Sequence, residues 1–145
     1  GITVTKRARV NLANCRIEGG TRGSTGVRLS PGAHLTMEGV VIEGFPVGLS
    51  ATLDAGTSLS VSGGELRKNE ASVHLMLTQP LEQEPAPSKG ALSWEGVTVS
   101  GGPLRWTRKT QAVNGWKVEE EEYSLDRAGD FVTRAGSEGS GFLIP

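Results

Sequence analysis

The sequence predicts an all-β protein built from repeated coils of short strands, and three observations lead to this fold class. Nearly the same pattern returns four times, as VNLANCRIEG from Val10, LTMEGVVIEG from Leu35, LSVSGGELRK from Leu59 and LSWEGVTVSG from Leu92. Apolar and polar residues alternate within each copy, which is typical of a strand with one buried face. Glycine is frequent, with 21 residues among 145, so many turns are expected.

Alignment of the four copies gives columns of like residues. The apolar columns are Val10, Leu35, Leu59 and Leu92; Leu12, Met37, Val61 and Trp94; and Ile17, Ile42, Leu66 and Val99. A column of Asn14, Gly39, Gly63 and Gly96 lies between the two strands of each copy. Asn and Gly adopt positive φ most readily, so we expect a tight bend there in every copy. The next column, Cys15, Val40, Gly64 and Val97, is predicted to face inward.

A further strand precedes each copy. Ile2 and Val4 match Val27 and Leu29, then Val47 and Leu49, then Val73 and Leu75. The copies advance by 25, 24 and 33 residues, and the last interval contains the insertion QPLEQEPAPSK (Gln79–Lys89), which we expect to be an exposed loop. Three short strands and three bends per repeat describe a parallel β-helix, a solenoid in which each coil buries its apolar face against the next.

The segments VNLANCRIEGG, HLTMEGVVIEG, SLSVSGGELRKN and ALSWEGVTVSG resemble the right-handed parallel β-helix proteins of the pectate-lyase-like superfamily. The resemblance covers about residues 2–102. It implies a right-handed parallel β-helix of about four or five coils. Members of the superfamily cleave or epimerise polysaccharides, form phage tailspikes, or act as bacterial surface and adhesion proteins.

The repeat fades after residue 102. We expect residues 1–102 to form the coils, and residues 103–145 to form a last coil or cap and a C-terminal tail of the same domain. PLRWTRKTQAV can supply one more coil through Leu104 and Trp106. Since a solenoid needs its open end covered, the later apolar residues are expected to form the cap. They are Trp116, Val118, Tyr123, Leu125, Phe131 and Val132. The final GSEGSGFLIP is typical of a linker or extended tail.

Composition argues against several classes of partner. The formal net charge of −1 provides no basic excess for a phosphate backbone, so no nucleic-acid binding is expected. No apolar run approaches the roughly 18 residues of a membrane helix, so membrane insertion is not expected. The sequence begins at Gly1 instead of a methionine, so we expect a processed chain or part of a longer one. The two histidines and the single cysteine show no metal-ligand spacing, and neither a metal nor another cofactor is expected.

Catalytic candidates are few. The resembling hydrolases use clustered aspartates and the lyases use Asp-rich calcium sites, but this chain has only Asp54, Asp126 and Asp130. The best outward set is the column that holds Glu18, Glu43 and Arg67. Two stacked carboxylates about 5 Å apart could raise one pKa and form an acid/base pair. A surface charge ladder, in which Arg67 relieves the repulsion, is the favoured interpretation.

Candidate binding residues are Trp106 and Trp116, as sugar platforms, and Arg28 and His74 on the outer face. Cap packing is the favoured interpretation for both tryptophans, and a surface role for His74. For Arg28 the favoured interpretation is protection of the edge against strand addition.

Intact core columns without a catalytic cluster favour a non-catalytic β-helix module of a bacterial surface, secreted or particle-associated protein, acting in adhesion, glycan contact or assembly. One alternative is a polysaccharide lyase or glycosidase with its site on the outer face, so the enzyme question stays open. Another is a tailspike-like or fibre-like oligomeric subunit. The expected partners are a polysaccharide, another surface protein or further copies of the chain, and the expected location is extracellular, the cell envelope or a phage particle.

Overall fold

The protein is all-β. The computed structural model describes residues 2–19, 25–52, 56–79 and 91–131. Its strands are β1 (Ile2–Val4), β2 (Arg9–Ala13), β3 (Arg16–Glu18), β4 (Thr25–Leu29), β5 (His34–Glu38), β6 (Val41–Glu43), β7 (Val47–Thr52), β8 (Ser58–Ser62), β9 (Glu65–Asn69), β10 (Ala71–Gln79), β11 (Ala91–Glu95), β12 (Thr98–Gly101), β13 (Leu104–Ala112) and β14 (Gly115–Tyr123). A turn of 3-10 helix, Leu125–Arg127, follows β14.

Successive strands are distributed in rotation over three sheets. Sheet A has the order β1-β4-β7-β10-β13-β14, sheet B the order β11-β8-β5-β2, and sheet C the order β12-β9-β6-β3. Each group of three consecutive strands, which we call a repeat, therefore contributes one strand to each sheet. All pairs are parallel except β13 with β14, which is antiparallel.

The strand register confirms the predicted columns of sheets B and C. Leu35 pairs with Val10 on one side and Leu59 on the other, and Ile42 lies between Ile17 and Leu66. The predicted match of Val47 with Val27 is wrong, because Val47 pairs with Thr25 and Leu49 pairs with Val27. A slip of two residues keeps every side chain on the same face of a strand, so alternation alone could not detect it.

The predicted bends between sheets B and C have positive φ throughout. Asn14 has φ 50°, and Gly39, Gly63 and Gly96 have φ between 62° and 64°. The left-handed conformation disfavours a Cβ, which explains the residue types of this column. The bend positions of neighbouring repeats also pack closely, since a Cβ on Gly64 would lie 2.2 Å from the carbonyl oxygen of Val40.

The core is a stack of inward-facing apolar side chains from all three sheets. Val27, Leu35 and Ile42 of the second repeat are each at most 1% exposed, whereas their partners in the first repeat are only partly buried. Among the buried polar side chains, Asn69 accepts a hydrogen bond from the Phe45 N–H at 2.9 Å and donates one to the Ile42 carbonyl at 3.1 Å. Asn69 therefore links two repeats at the point where the chain passes from sheet C to sheet A.

The C-terminal part extends sheet A. β13, which carries Leu104 and Trp106, continues the parallel register, with Leu104 beside Val73 and Trp106 beside Leu75. β14 then turns back, and Tyr123 packs edge-to-face on Phe131 with ring centroids 5.8 Å apart, both side chains being buried. The expectation that Trp116 and Val118 are packed into the cap is wrong, because these side chains are 55% and 50% exposed. The antiparallel turn places them on the outward face of sheet A.

Several sequence-based expectations concern residues outside the described ranges. These are Asp54, Val132, the tail from residue 136, and all of the insertion except the Gln79 backbone, which ends β10. Within the described ranges, no helix has the length and apolar character that crossing a bilayer requires.

Gly64→Ala should destabilise the protein more than the matched change Gly63→Ala. Both glycines have positive φ, so the alanine conformation costs about 1–2 kcal/mol at each. The nearest atom to a Cβ at Gly63 would be 3.9 Å away, against 2.2 Å at Gly64. We expect a total loss above about 3 kcal/mol for Gly64→Ala in urea unfolding. Equal losses would contradict the close packing of the bends.

Leu35→Ala should cost about 2–5 kcal/mol, because it leaves a cavity between two other repeats. Leu12→Ala, the same substitution in the first repeat, should cost less than about 2 kcal/mol, since Leu12 is only partly buried. Chemical denaturation of the two variants and the parent measures both losses. A larger loss for Leu12→Ala would place the centre of the core elsewhere.

Candidate functional site

The three candidate catalytic residues form a row on sheet C. Glu18 on β3 pairs with Glu43 on β6, which pairs with Arg67 on β9. Ile17, Ile42 and Leu66 precede them in the strands and belong to the core, so the alternation of the strands turns the charged row outward. The predicted juxtaposition of these three residues is therefore present.

Glu43 is held between two guanidinium groups. Arg16 Nε donates a hydrogen bond to Glu43 Oε1 at 2.9 Å, and Arg67 Nε donates one to Glu43 Oε2. The Glu43 side chain is only 12% exposed, whereas that of Glu18 is 61% exposed and pairs with Arg16 Nε at 2.8 Å. Arg67 also approaches Glu65, at 3.8 Å. Together with Arg16 and Glu65, the row forms a charge ladder across three strands, in which each carboxylate contacts an arginine.

The ladder is electrostatically unsuited to acid catalysis. The hydrogen bond from Arg67, followed by that from Arg16, lowers the pKa of Glu43 to about 2. The same bond with Glu43 raises the pKa of Arg67. The suggestion that stacking could raise the pKa of a carboxylate in this column is therefore wrong for Glu43, because the two arginines outweigh the neighbouring carboxylate. Glu43 is ionised at neutral pH and has both oxygens occupied.

A second site lies on the outer face of sheet A. Arg28, Ser50, His74 and Arg105 occupy one row across β4, β7, β10 and β13. Two clefts meet at His74. One cleft has a volume of about 390 Å³ and is lined by Arg28, Ser50 and Thr52. The other has a volume of about 430 Å³ and is lined by Arg105, Thr107 and Glu120. We call the two clefts together the sheet A groove.

His74 is the polar centre of this groove. Its Nε2 lies 2.7 Å from Thr107 Oγ1, and its side chain is partly buried. Burial lowers the pKa of His74, and the nearby charge of Arg105 lowers it further, so the imidazole is neutral at pH 7. At one end of the groove the Arg28 side chain is exposed, and at the other Glu122 Oε2 lies 3.5 Å from Arg105 Nε. In the groove, Arg28 and Arg105 can therefore donate hydrogen bonds and Glu122 can accept them.

The candidate binding residues separate into two groups. The groove brings Arg28 and His74 together on one face. Trp106 is 1% exposed and belongs to the core, which removes it as a sugar platform. Trp116 is exposed, but it lies opposite Gln111 near the turn of the β13–β14 hairpin, four residues along β14 from Glu120. Among the described residues, no three His, Cys, Asp or Glu side chains are grouped as a metal site.

Sequence reasoning missed parts of both sites. Arg16 was not assigned to the ladder, although its position two residues before Glu18 places both side chains on the same face of β3. Thr107, Glu120 and Glu122 were not assigned to the groove, because they belong to strands beyond the clear repeat. The antiparallel return of β14 had no signal in the columns.

Comparisons with protein-family models, with curated protein sequences and with solved structures found no match to this chain.

Glu43→Gln should reduce stability in a pH-dependent way. The pKa of Glu43 in the folded protein is about 2, below its ordinary value of 4.5, so its ionised form stabilises the fold above pH 4.5. This contribution is lost as the pH falls from 4.5 to 2. Thermal unfolding of the parent and the variant should show the full difference at pH 7 and a vanishing one near pH 2.

Glu18→Gln is the matched control on the same ladder, and it should change stability little, since an exposed ion pair contributes little. A pH-independent difference for Glu43→Gln would contradict the assigned role of its charge.

Proposed function

We propose that this chain is a non-catalytic, right-handed parallel β-helix module that contacts a glycan through the sheet A groove. The rotation of successive strands over three parallel sheets, with like residues in register, supports the β-helix. Its resemblance to the pectate-lyase-like superfamily supports the right-handed form. In such a solenoid each repeat contacts only its neighbours, which suits a rigid spacer that presents one long face.

The non-catalytic part of the proposal is supported by the ladder on sheet C. A glycosidase needs one carboxyl group that stays protonated at working pH and a second that acts as base or nucleophile. Glu43 meets neither requirement, because Arg16 and Arg67 hold it as a fully bonded carboxylate. The hydrolase or lyase alternative therefore loses its best residues.

The length over which the two clefts of the sheet A groove extend carries the proposed function. From β4 to β14 it crosses four strand spacings of about 4.8 Å, or roughly 19 Å in all, which matches several linked sugar rings. Its lining includes Thr52, the neutral imidazole of His74 and the exposed guanidinium groups of Arg28 and Arg105. A ligand with many hydroxyl groups can pair with such a surface without burying an uncompensated charge. The proposed setting is a bacterial surface, secreted or particle-associated protein.

Arg28→Gln should weaken glycan binding by about tenfold or more, because a hydrogen bond to a charged group contributes about 1.5–3 kcal/mol. Calorimetric titration with polygalacturonate, an acidic probe, and with xylan, a neutral one, measures the loss. Arg9→Gln makes the same charge change at an exposed position on sheet B and should leave the affinity unchanged.

The same incubations test catalysis through the release of reducing ends or unsaturated uronates. Cleavage of either polysaccharide would overturn the non-catalytic part of the proposal. Equal losses from Arg28→Gln and Arg9→Gln would overturn the assignment to the groove, and absence of binding to both probes would overturn glycan contact with these two classes.

A further inference from the structure

The hairpin of β13 and β14 carries the exposed large apolar side chains of the part of the chain that the structure describes. Among the described residues, the large hydrophobic side chains that are exposed are Val113, Trp116 and Val118, at 89%, 55% and 50%. Trp116 and Val118 are two residues apart on β14 and so share one face. They lie beside the free edge of sheet A, since β14 is its last strand within the described ranges.

A free edge strand of nine residues presents backbone donors and acceptors that can pair with another strand. Proteins usually protect such an edge with charged residues, and Glu119–Glu122 protect one half of β14 in this way. The other half, from Gly115 to Val118, has one charge and two exposed apolar side chains. The edge is therefore protected unevenly, with a cation and apolar groups at one end and anions at the other.

We infer that β14 pairs with β14 of a second copy of this chain, antiparallel about a two-fold axis at Val118. Seven residues of each copy, 115–121, would form the ladder. An isologous contact needs a surface that is complementary to itself, and the uneven charge of β14 meets this requirement. The second copy would extend sheet A into one continuous sheet, in which the two β14 strands pair antiparallel.

The register follows from side-chain parity and charge. Residues that are directly opposite in an antiparallel pair share a face, so the two-fold axis must pass through a residue of β14 and not between two residues. An axis at Lys117 places Lys117 opposite Lys117 of the second copy. An axis at Glu119 likewise places Glu119 opposite Glu119 of the second copy. Both arrangements oppose like charges directly, which is destabilising.

An axis at Val118 removes these conflicts. Lys117 of each copy is then opposite Glu119 of the other, which gives two pairs of opposite charge. Val118 is opposite Val118 of the second copy, and Trp116 is diagonal to it, within reach of a large aromatic side chain. Lys117 Nζ already lies 3.3 Å from Glu119 Oε1 of its own strand, so its ammonium group is on the face where the second Glu119 would arrive.

The contact is small, so the dimer should be weak and dependent on concentration. This inference goes beyond the proposed function and does not rest on glycan binding. Its test therefore fails or succeeds separately from the titrations with polysaccharides.

Two measurements on the full chain test the inference. The first is the solution mass of the parent protein by sedimentation equilibrium over a concentration series, which should rise from 15.2 kDa toward twice that value. The second is disulfide trapping of Val118→Cys in a Cys15→Ala background. Opposite Cα atoms in an antiparallel pair are about 4.5–5.5 Å apart, within the range of a disulfide.

Glu120→Cys in the same background is the matched control, on the same face of the same strand. With the axis at Val118, the two introduced cysteines would be four positions apart along the ladder, roughly 13 Å, which is too far for a disulfide. We expect at least about tenfold more crosslinked dimer for Val118→Cys than for Glu120→Cys, because of this difference in distance.

A constant mass of 15.2 kDa at all concentrations would overturn the inference. So would a dimer that traps both cysteines equally or traps neither, since the contact would then lie on another surface or in another register.

Discussion

In-register stacking of like residues at a spacing of about 4.8 Å is the constraint on which the rest of this structure depends. Each residue in a strand lies beside the equivalent residue of the next repeat, so the side chains within one column must be compatible as direct neighbours. Apolar columns meet this condition easily, and Leu35 between Val10 and Leu59 is an example. Charged columns do not, and Glu18 beside Glu43 requires Arg16 and Arg67 to offset the repulsion.

The same constraint explains why the charged residues of this fold are poor candidates for chemistry. A catalytic acid needs a carboxyl group whose ionised form is disfavoured, by burial or by an unrelieved negative neighbour. Stacking supplied the neighbour here, but Arg67 of the same column and Arg16 of an adjacent column supplied two guanidinium groups, and these lower the pKa of Glu43 to about 2. The sheet A groove differs because its row combines Ser50 with His74, and neither side chain is ionised at neutral pH.

Prediction from the sequence succeeded where the columns alone decide the structure. The apolar columns, the positive φ of Asn14 and Gly39, and the row of Glu18 with Glu43 all follow from the repeat. It failed where another interaction decides. The slip at Val47 preserves parity, and the direction of β14 depends on a turn that no column records. The groove was predicted only in part: Arg28 and His74 were candidates on the outer face, whereas Glu120 joins them only through β14.

The direction of β14 also changes what the end of sheet A can bind. A parallel edge accepts a new strand most naturally from another repeat that runs the same way, so it continues the sheet with the protein's own chain. An antiparallel edge of nine residues can accept its own copy through a two-fold axis, which closes the contact after a single addition. The turn at Val113 and Asn114 thus ends the stacking of sheet A within the described residues and leaves the antiparallel edge on which the proposed dimer rests.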